Sequence, residues 1–351
     1  MTTISDISVE AYDLPLAEPF ETSLGTREHA RNVLVTVETD AGGRGYGEGS
    51  PLPPVTGECQ EAAVATARAA ASIVEGRELA NYRSLVAEVR DAFPGTVSAL
   101  FAVETAVLDA YCRDRGLALS ELFGGAPSRV RTDLTIPMLP ADAAATRAET
   151  AAAAGFDHLK VKTGVDVAAD VERVAAVHEA APDAALKVDA NQGWTPVEAE
   201  QFVSRLASRG VPLALLEQPV AKDDVRGLAR VRDRVSVPVA ADEAVFTPAD
   251  ATRVVREDAA DVLNVKLGKS GPLHAAAIAE IAAGASLDLM FGCMLESAVG
   301  IHTSAHLVAG LGIVDYVDLD GNLLFAEAVR DTDFSPNIDP TGPGHGATPS
   351  R

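Results

Sequence analysis

The second half of the chain carries charged residues at nearly constant intervals, each at the end of a short apolar run. They are Lys162, Asp189, Glu217, Asp242 and Lys266, at intervals of 27, 28, 25 and 24 residues. One βα unit takes roughly 25–30 residues, and the C-terminal strand ends of a parallel barrel open on one face, where chemistry takes place. The spacing therefore predicts that these carboxylates and lysines converge in a single pocket.

Composition and charge narrow the class of protein. The net charge of −22 over 351 residues argues against a nucleic-acid partner. No run of eighteen apolar residues exists, so we expect neither a membrane span nor a membrane partner. The first residues lack the basic and apolar regions of a secretory signal, and the three cysteines are scattered, which fits a reducing compartment. We therefore expect a cytoplasmic protein, and a homo-oligomer is left open.

The N-terminal part has the pattern of an α+β unit. Alternating β-branched residues predict strands at 4–14 and 32–38, and a glycine-rich turn leads into a third short strand. Residues 61–124 have helical periodicity. Too few parallel strands are present for a barrel, so residues 1–126 are predicted to form an α+β capping domain.

Residues 127–324 alternate between strand and helix patterns, which predicts a parallel barrel. The eight strand candidates are 134–137, 158–161, 186–188, 213–216, 237–240, 262–265, 287–291 and 316–319. The tail, from about residue 325 to 351, is rich in Pro, Gly and Asp. It is predicted to fold back on the capping domain, with its last ten residues frayed.

Asp189, Glu217 and Asp242 form a candidate metal site. Carboxylates with no histidine or cysteine beside them favour Mg²⁺, with Mn²⁺ also suitable, over zinc. Three anions brought together repel one another unless a cation neutralises them. Any one of these acids alone is better explained by an ion pair with a surface lysine, but three in register with the lysines favour a metal.

The lysines are candidate acid and base groups. Lys160 and Lys162 lie two apart on a strand and point to the same side, and adjacent ammonium groups are expected to lower a lysine pKa towards neutrality. Lys266 is predicted to stand across the mouth from Lys162, so that the two could remove and return a proton on opposite faces. For Lys160 and Lys162 alone, a solvated strand end explains the pattern as well.

Six runs resemble the enolase superfamily, in its muconate-lactonizing subgroup: KVK, VDANQGW, LLEQP, ADE, NVKLGKSG and GCMLES. The resemblance covers essentially the whole chain and implies an α/β fold, a modified (β/α)7β TIM-type barrel with an α+β capping domain. It implies Mg²⁺ ligation by Asp189, Glu217 and Asp242. It also implies acid and base roles for Lys162 and Lys266, with an ene-diolate formed by loss of the proton alpha to a carboxylate.

Asp318 and Asp320 narrow the activity further. They are predicted to place two carboxylates on one side of the eighth strand, an arrangement that suits a substrate ammonium group. Within the subgroup this pair resembles that of the dipeptide epimerases, which implies a dipeptide substrate held by its α-ammonium. A loop pair of acids beside Gly321 is the plainer alternative.

Other candidate substrate contacts are Lys160, beside the catalytic lysine, and Glu296, at the end of the seventh strand. Epimerases of alanyl-glutamate carry an arginine in a capping loop, and here the equivalent position in PFETSLGTREHAR is Gly25. Arg27 is the candidate substitute in that loop, with Arg31 as the alternative. Without the usual arginine, the sequence favours a non-acidic second residue in the substrate.

Other functions fit the same residues. The nearest are other reactions of the subgroup: N-acylamino acid racemisation, o-succinylbenzoate synthesis and cycloisomerisation. Asp318 and Asp320 discriminate against these, because an acylated or all-acid substrate gains nothing from two carboxylates. A non-catalytic metal-binding barrel is a further alternative, but binding alone does not need two opposed bases.

Overall fold

The computed structural model describes residues 1–330 and 332–349. A three-stranded antiparallel sheet and its helices cover one end of an eight-stranded parallel barrel. The predicted fold class, a modified (β/α)7β barrel with an α+β cap, is therefore confirmed. The exact domain limits at residues 126/127 and 324/325 stay predictions.

The cap contains two long strands and one short strand, followed by helices. Its strands are β1 (Ile4–Thr22), β2 (Gly25–Thr39) and β3 (Arg44–Gly49), and its helices are α1 (Pro53–Thr56), α2 (Gln60–Val74), α3 (Tyr82–Ala92) and α4 (Val97–Arg115). Short 3₁₀ turns occupy Leu79–Asn81 and Leu119–Phe123. A two-residue strand, β4 (Val130–Arg131), then leads into the barrel.

The barrel strands lie side by side in chain order. They are β5 (Leu134–Ile136), β6 (His158–Lys162), β7 (Ala185–Asp189), β8 (Leu215–Glu217), β9 (Val239–Ala241), β10 (Val262–Lys266), β11 (Asp288–Gly292) and β12 (Tyr316–Asp318). The helices are α5 (Ala141–Ala153), α6 (Val167–Ala180), α7 (Pro196–Ser208), α8 (Val225–Arg232), α9 (Pro248–Arg256), α10 (Leu267–Ser270), α11 (Pro272–Gly284) and α12 (Ala298–Leu311). All eight predicted strands are present, with ends that differ by a few residues.

Local sequence explains these elements. The barrel strands are short apolar runs, as expected for strands buried on both faces. Helix starts are marked by side-chain caps: Thr195 caps α7 and Thr247 caps α9, each with a reciprocal acid three residues on and a proline at the first helical position. The caps fix where each helix begins, and so how long each strand-end loop is.

The strand register brings the charged strand ends together. Lys162 pairs with Asp189 and Asp189 with Glu217 across neighbouring strands, so three of the predicted site residues stand in one row. On the other side of the barrel Lys266 pairs with Gly292, which pairs with Asp318. In the eight-strand order β10 is the fourth strand from β6, which puts Lys162 and Lys266 on opposite sides of the barrel.

The cap strands are longer than predicted. The segment predicted to be a capping loop is a β-hairpin, in which Phe20 pairs with Arg27 and Thr22 with Gly25. Its tip reaches the barrel, where Ser23 Oγ donates to the carbonyl oxygen of Asn191 at 3.1 Å. The alternation of residues in this segment is too irregular to indicate strands from the sequence. The segment is extended because β1 and β2 pair with each other there.

The tail crosses back over the cap. Strand β13 (Asn337–Ile338) pairs with β4, and Leu119 N–H donates to the Gly344 carbonyl at 2.8 Å. His345 is fully buried, and its backbone N–H donates to Asp109 Oδ1 at 2.8 Å. The prediction that the last ten residues fray is therefore wrong for residues 342–349, because a buried carboxylate of α4 anchors them; residues 350 and 351 lie outside the described part of the chain.

Within residues 1–330 and 332–349, no helix combines the length and the apolar character needed to cross a lipid bilayer.

The close packing of β3 on α4 gives a stability prediction. A Cβ atom on Gly47 would overlap the Ala102 carbonyl oxygen, whereas one on Gly284 would meet nothing within 4 Å. We expect Gly47→Ala to lower the free energy of unfolding by about 1–3 kcal/mol, the usual cost of overpacking. In urea denaturation the control Gly284→Ala should be neutral or slightly stabilising, and equal stability of the two variants would contradict the packing.

Candidate active site

A cavity of about 480 Å³ lies between the cap and the C-terminal ends of the barrel strands. The β1–β2 hairpin and the segment after β3 form its upper wall, and the strand ends form its floor. Six predicted site residues line this space: Arg27, Lys162, Asp242, Lys266, Asp318 and Asp320.

Asp189, Glu217 and Asp242 form one buried cluster. Each offers an oxygen within 4.8 Å of the other two, and none is more than 1 % exposed. Oxygens around one Mg²⁺ at about 2.1 Å lie up to roughly 4.2 Å apart, so small side-chain rotations bring the three into range. An all-carboxylate donor set suits a hard divalent cation; the cluster therefore fits the predicted metal.

The carboxylates of the cluster have pKa values that are shifted in opposite directions. Burial, together with Asp189 and Asp242, raises the pKa of Glu217 to about 8, although Lys160 opposes the shift. Burial would raise the pKa of Asp189 as well, but Lys162 and Lys160 outweigh it and lower that pKa to about 2. Glu217 is thus a cluster carboxylate whose charged form the lysines do not fully compensate, and a bound cation would stabilise that form.

Lys162 and Lys266 each bond to one cluster carboxylate from opposite sides of the barrel. Lys162 Nζ lies 2.7 Å from Asp189 Oδ2 and donates to Asn191 Oδ1 at 3.2 Å. Lys266 Nζ lies 2.7 Å from Asp242 Oδ2. Both side chains line the cavity, so a substrate carbon seated between them would be reached from both faces.

Lys160 occupies a different place from the one predicted. It lies below the cavity floor, 1 % exposed, with Nζ at 2.6 Å from Asp318 Oδ2, 2.7 Å from Glu217 Oε2 and 3.1 Å from Asp189 Oδ2. Burial lowers its pKa, but these carboxylates outweigh burial and raise that pKa well above its usual value. The predicted fall in pKa is therefore wrong for Lys160, which bridges the acid groups and does not line the cavity.

Lys266 also has a raised pKa. Burial lowers it, but the adjacent Asp242 carboxylate more than compensates, so that the pKa lies above the usual lysine value. Lys269, on the next helical turn, donates to Asp242 Oδ1 at 2.6 Å and also to its carbonyl oxygen. Lys269 is thus a buried partner of Asp242.

Asp318 and Asp320 lie together at one end of the cavity. Asp320 Oδ2 accepts from the backbone N–H of Thr135 at 2.5 Å, and Asp318 Oδ2 contacts Lys160. Their carboxylates and that of Asp133 lie within 4.8 Å of one another, all buried. Burial and Asp318 raise the pKa of Asp320 to about 6. This end of the cavity therefore favours a cationic group.

Glu296 and the cap arginines occupy separate positions. Glu296 does not line the cavity; its Oε1 accepts from Met294 N–H at 3.1 Å and from Ser50 Oγ at 3.3 Å. The predicted substrate contact of Glu296 is therefore unsupported, because its carboxylate is used to join the barrel to the cap. Arg27 and Arg31 both line the cavity. Arg27 forms no ion pair with any described residue, whereas Arg31 pairs with Glu61 at 2.9 Å.

The structure adds residues that the sequence left unassigned. Asn191 orients Lys162, and its Nδ2 donates to Glu243 Oε1 at 3.2 Å. Asp133 pairs with Lys187 at 2.6 Å beneath the Asp318 end of the cavity. Asn191 and Glu243 fall inside the runs VDANQGW and ADE, a signal from which they could have been found. Asp133 precedes a strand and carries no local signal.

Two family models match the chain. The mandelate racemase/muconate lactonizing enzyme N-terminal domain matches residues 5–124, and the enolase C-terminal domain-like model matches residues 143–351. The chain belongs to the mandelate racemase/muconate lactonizing enzyme family of the enolase superfamily.

Individual relatives are similar over nearly the whole length. An aromatic dipeptide epimerase from Herpetosiphon aurantiacus is 39% identical over 327 residues, covering 93% of this chain and 92% of the relative. An L-Ala-D/L-Glu epimerase from Thermotoga maritima is 36% identical, covering 94% and 95%. A crystal structure of the dipeptide epimerase from Enterococcus faecalis with Mg and L-Leu-L-Tyr superposes with a TM-score of 0.90 at 33% identity, covering 96% and 97%.

Proposed function

We propose that this protein is a Mg²⁺-dependent dipeptide epimerase, an isomerase that inverts a carbon alpha to a carboxylate. The observation that carries the proposal is the placement of Lys162 and Lys266 on opposite sides of one buried carboxylate cluster, with Asp318 and Asp320 in the same cavity. The relatives named as dipeptide epimerases support it. A cytoplasmic location and a homo-oligomeric state stay predictions.

Asp189, Glu217 and Asp242 would hold the metal, and Mn²⁺ is a suitable substitute for Mg²⁺. The bound ion would supply positive charge where negative charge develops on the substrate carboxylate. The three ligands come from the ends of neighbouring strands, so the barrel fixes their positions before any substrate enters. Such preorganisation stabilises a developing charge without reorganisation of the protein.

Lys162 and Lys266 would move the proton. For one isomer, Lys162 Nζ takes the α proton, and Lys266 Nζ delivers a proton to the opposite face of the ene-diolate; for the other isomer the roles reverse. The proton count of the enzyme is unchanged, and solvent exchange restores the starting state of both amines. Asn191 holds Lys162 Nζ in line with the cavity through its 3.2 Å hydrogen bond.

Asp318 and Asp320 would bind the substrate α-ammonium. Asp320 is held by Thr135 N–H and Asp318 by Lys160, so neither carboxylate is free to turn away. This acidic end distinguishes a free dipeptide from the N-acylated or all-acid substrates of the alternative reactions, because those offer no positive charge. Two opposed lysines also make a purely binding role a poor explanation of the site.

The second residue of the dipeptide would lie against the cap. The cap side of the cavity includes Phe20, Leu24, Leu52 and Val55, together with Arg27, which has no ion-pair partner among residues 1–330 and 332–349. An apolar wall favours an aromatic or aliphatic second side chain, and a guanidinium can stack on an aromatic ring. We therefore propose a hydrophobic second residue in contact with Arg27.

The proposed metal site predicts that Mg²⁺ binding can be measured directly. One Mg²⁺ per chain should bind in calorimetry, and chelation should abolish turnover until Mg²⁺ is restored. Because loss of outer-shell partners alone weakens metal sites 10–100-fold, Glu217→Gln should reduce affinity at least about tenfold. The control is Glu198→Gln, a change in the first turn of α7 on the outside of the barrel. This variant should bind Mg²⁺ with the wild-type affinity. Equal binding by both variants would remove Glu217 from the site.

The opposed lysines predict stereospecific loss of function. Lys162→Ala and Lys266→Ala should each reduce epimerisation by at least about 10²-fold, the scale of a positioned acid or base. Each variant should still exchange the α proton of one isomer with D₂O, and the two variants should retain opposite isomers. Lys222→Ala, which changes a lysine outside the cavity, is the control. Near-normal turnover in either active-site variant would exclude that lysine from the mechanism.

The acidic end predicts discrimination by substrate charge. Charge-assisted hydrogen bonds contribute roughly 1.5–3 kcal/mol each, so acetylation of the dipeptide N-terminus should lower kcat/KM about tenfold to a hundredfold. Asp320→Asn should slow free dipeptides much more than acetylated ones. If N-acetyl amino acids react as fast as dipeptides, the dipeptide assignment fails and N-acylamino acid racemisation replaces it.

A further inference from the structure

Lys266 is carried by a single tight turn. It is the last residue of β10, and its carbonyl oxygen accepts from Ser270 Oγ at 3.1 Å across α10. All four residues of α10, including Lys269, are buried. Lys266 and Lys269 both contact Asp242, so the orientation of this one turn sets where both ammonium groups lie.

Two residues of the cap hold that turn from outside the barrel. Arg90, on α3, donates to the Ser270 carbonyl oxygen at 3.3 Å and lies 2.8 Å from Glu104 Oε2 on α4. Glu104 Oε1 accepts from Leu273 N–H at 2.6 Å, in the first turn of α11. The Arg90–Glu104 pair thus contacts the chain at both ends of the junction between α10 and α11.

The contact between the Arg90–Glu104 pair and the α10–α11 junction is buried and closely packed. The side chains of Arg90 and Glu104 are only 19 % and 1 % exposed. Gly271, between Ser270 and the start of α11, has a φ of +70°, and a Cβ atom there would overlap Glu104 Oε2. A carboxylate buried this deeply is stable only while its partners stay in place, so movement of the pair and movement of the junction are coupled.

We propose that Arg90 and Glu104 are positioning residues for Lys266: through α10, the cap sets the place of one of the two proton-transfer groups. The inference rests on the proposed epimerase function. Neither residue lines the cavity, so neither touches substrate. Lys162 stands on β6, on the opposite side of the barrel, and its ammonium group donates to Asp189 and Asn191. Loss of the pair should therefore affect one face of the reaction and spare the other.

The test uses Glu104→Gln and Arg90→Met in the full-length enzyme with Mg²⁺. The exchange of the α proton into D₂O is followed separately for each pure dipeptide isomer. A misplacement of about 1 Å can cost on the order of 10²-fold. We therefore expect at least a tenfold loss for the isomer whose exchange Lys266→Ala abolishes. The other isomer should exchange within about threefold of the wild-type rate, because Lys162 keeps its position.

Arg113→Met is the matched control. Arg113 and the buried Asp109 both lie on α4, 2.7 Å apart, and Arg113 is 22 % exposed. Arg113 therefore resembles Arg90 in its burial and in having a buried carboxylate partner. It contacts the tail, however, and not α10. Its removal should leave the ratio of the two exchange rates unchanged. Equal losses for both isomers in Glu104→Gln and Arg90→Met, or no loss in either, would overturn the inference.

A crystal structure of Glu104→Gln separates this inference from the proposed function. We expect α10 to shift and the Lys266 Nζ–Asp242 Oδ2 contact to lengthen from 2.7 Å. If the wild-type protein exchanges no dipeptide, the epimerase proposal fails, and the crystal structure still decides whether the cap positions Lys266. An unchanged α10 and an unchanged contact would overturn the positioning role whatever the kinetics show.

Discussion

The structure depends on the close approach of like charges at the strand ends. Asp189, Glu217 and Asp242 are buried within 4.8 Å of one another, an arrangement that is stable only when cations share the site. Lys160 meets this need from below, and Lys162 and Lys266 meet it from the two sides. The same charges that make the cluster tolerable in a folded protein are those that proton transfer requires.

The cap encloses this charged site. Its hairpin closes the cavity above the strand ends, and its polar side chains enter the barrel loops. Asn32 Nδ2 donates to the Leu295 carbonyl oxygen at 2.7 Å, and Glu48 Oε2 accepts from Ser297 Oγ at 2.6 Å. Because these groups are buried and satisfied, they fix the cap against the barrel. Exclusion of water then strengthens each interaction between the substrate and the charges on the floor.

The sequence predicted the barrel and the convergence of its charged strand ends because their signal is local and repeated: an apolar run, a charged end and a constant interval. The sequence could not predict the raised pKa of Lys160, because the neighbouring ammonium of Lys162 was expected to lower that pKa. The carboxylates that reverse this shift come from three other strands, and no local pattern shows them. For the same reason the sequence missed Asp133, and it assigned a substrate contact to Glu296, which turns towards Ser50 of the cap.

The central claim is that two lysines act from opposite faces of one carbon, and the first turnover in D₂O tests it most directly. A pure dipeptide isomer is mixed with the enzyme and Mg²⁺, and the α positions of substrate and product are read by NMR and mass spectrometry at low conversion. Two opposed bases predict that the inverted product carries solvent deuterium from its first appearance. Inverted product that carries the original substrate proton would show that a single base serves both faces, and would contradict the account.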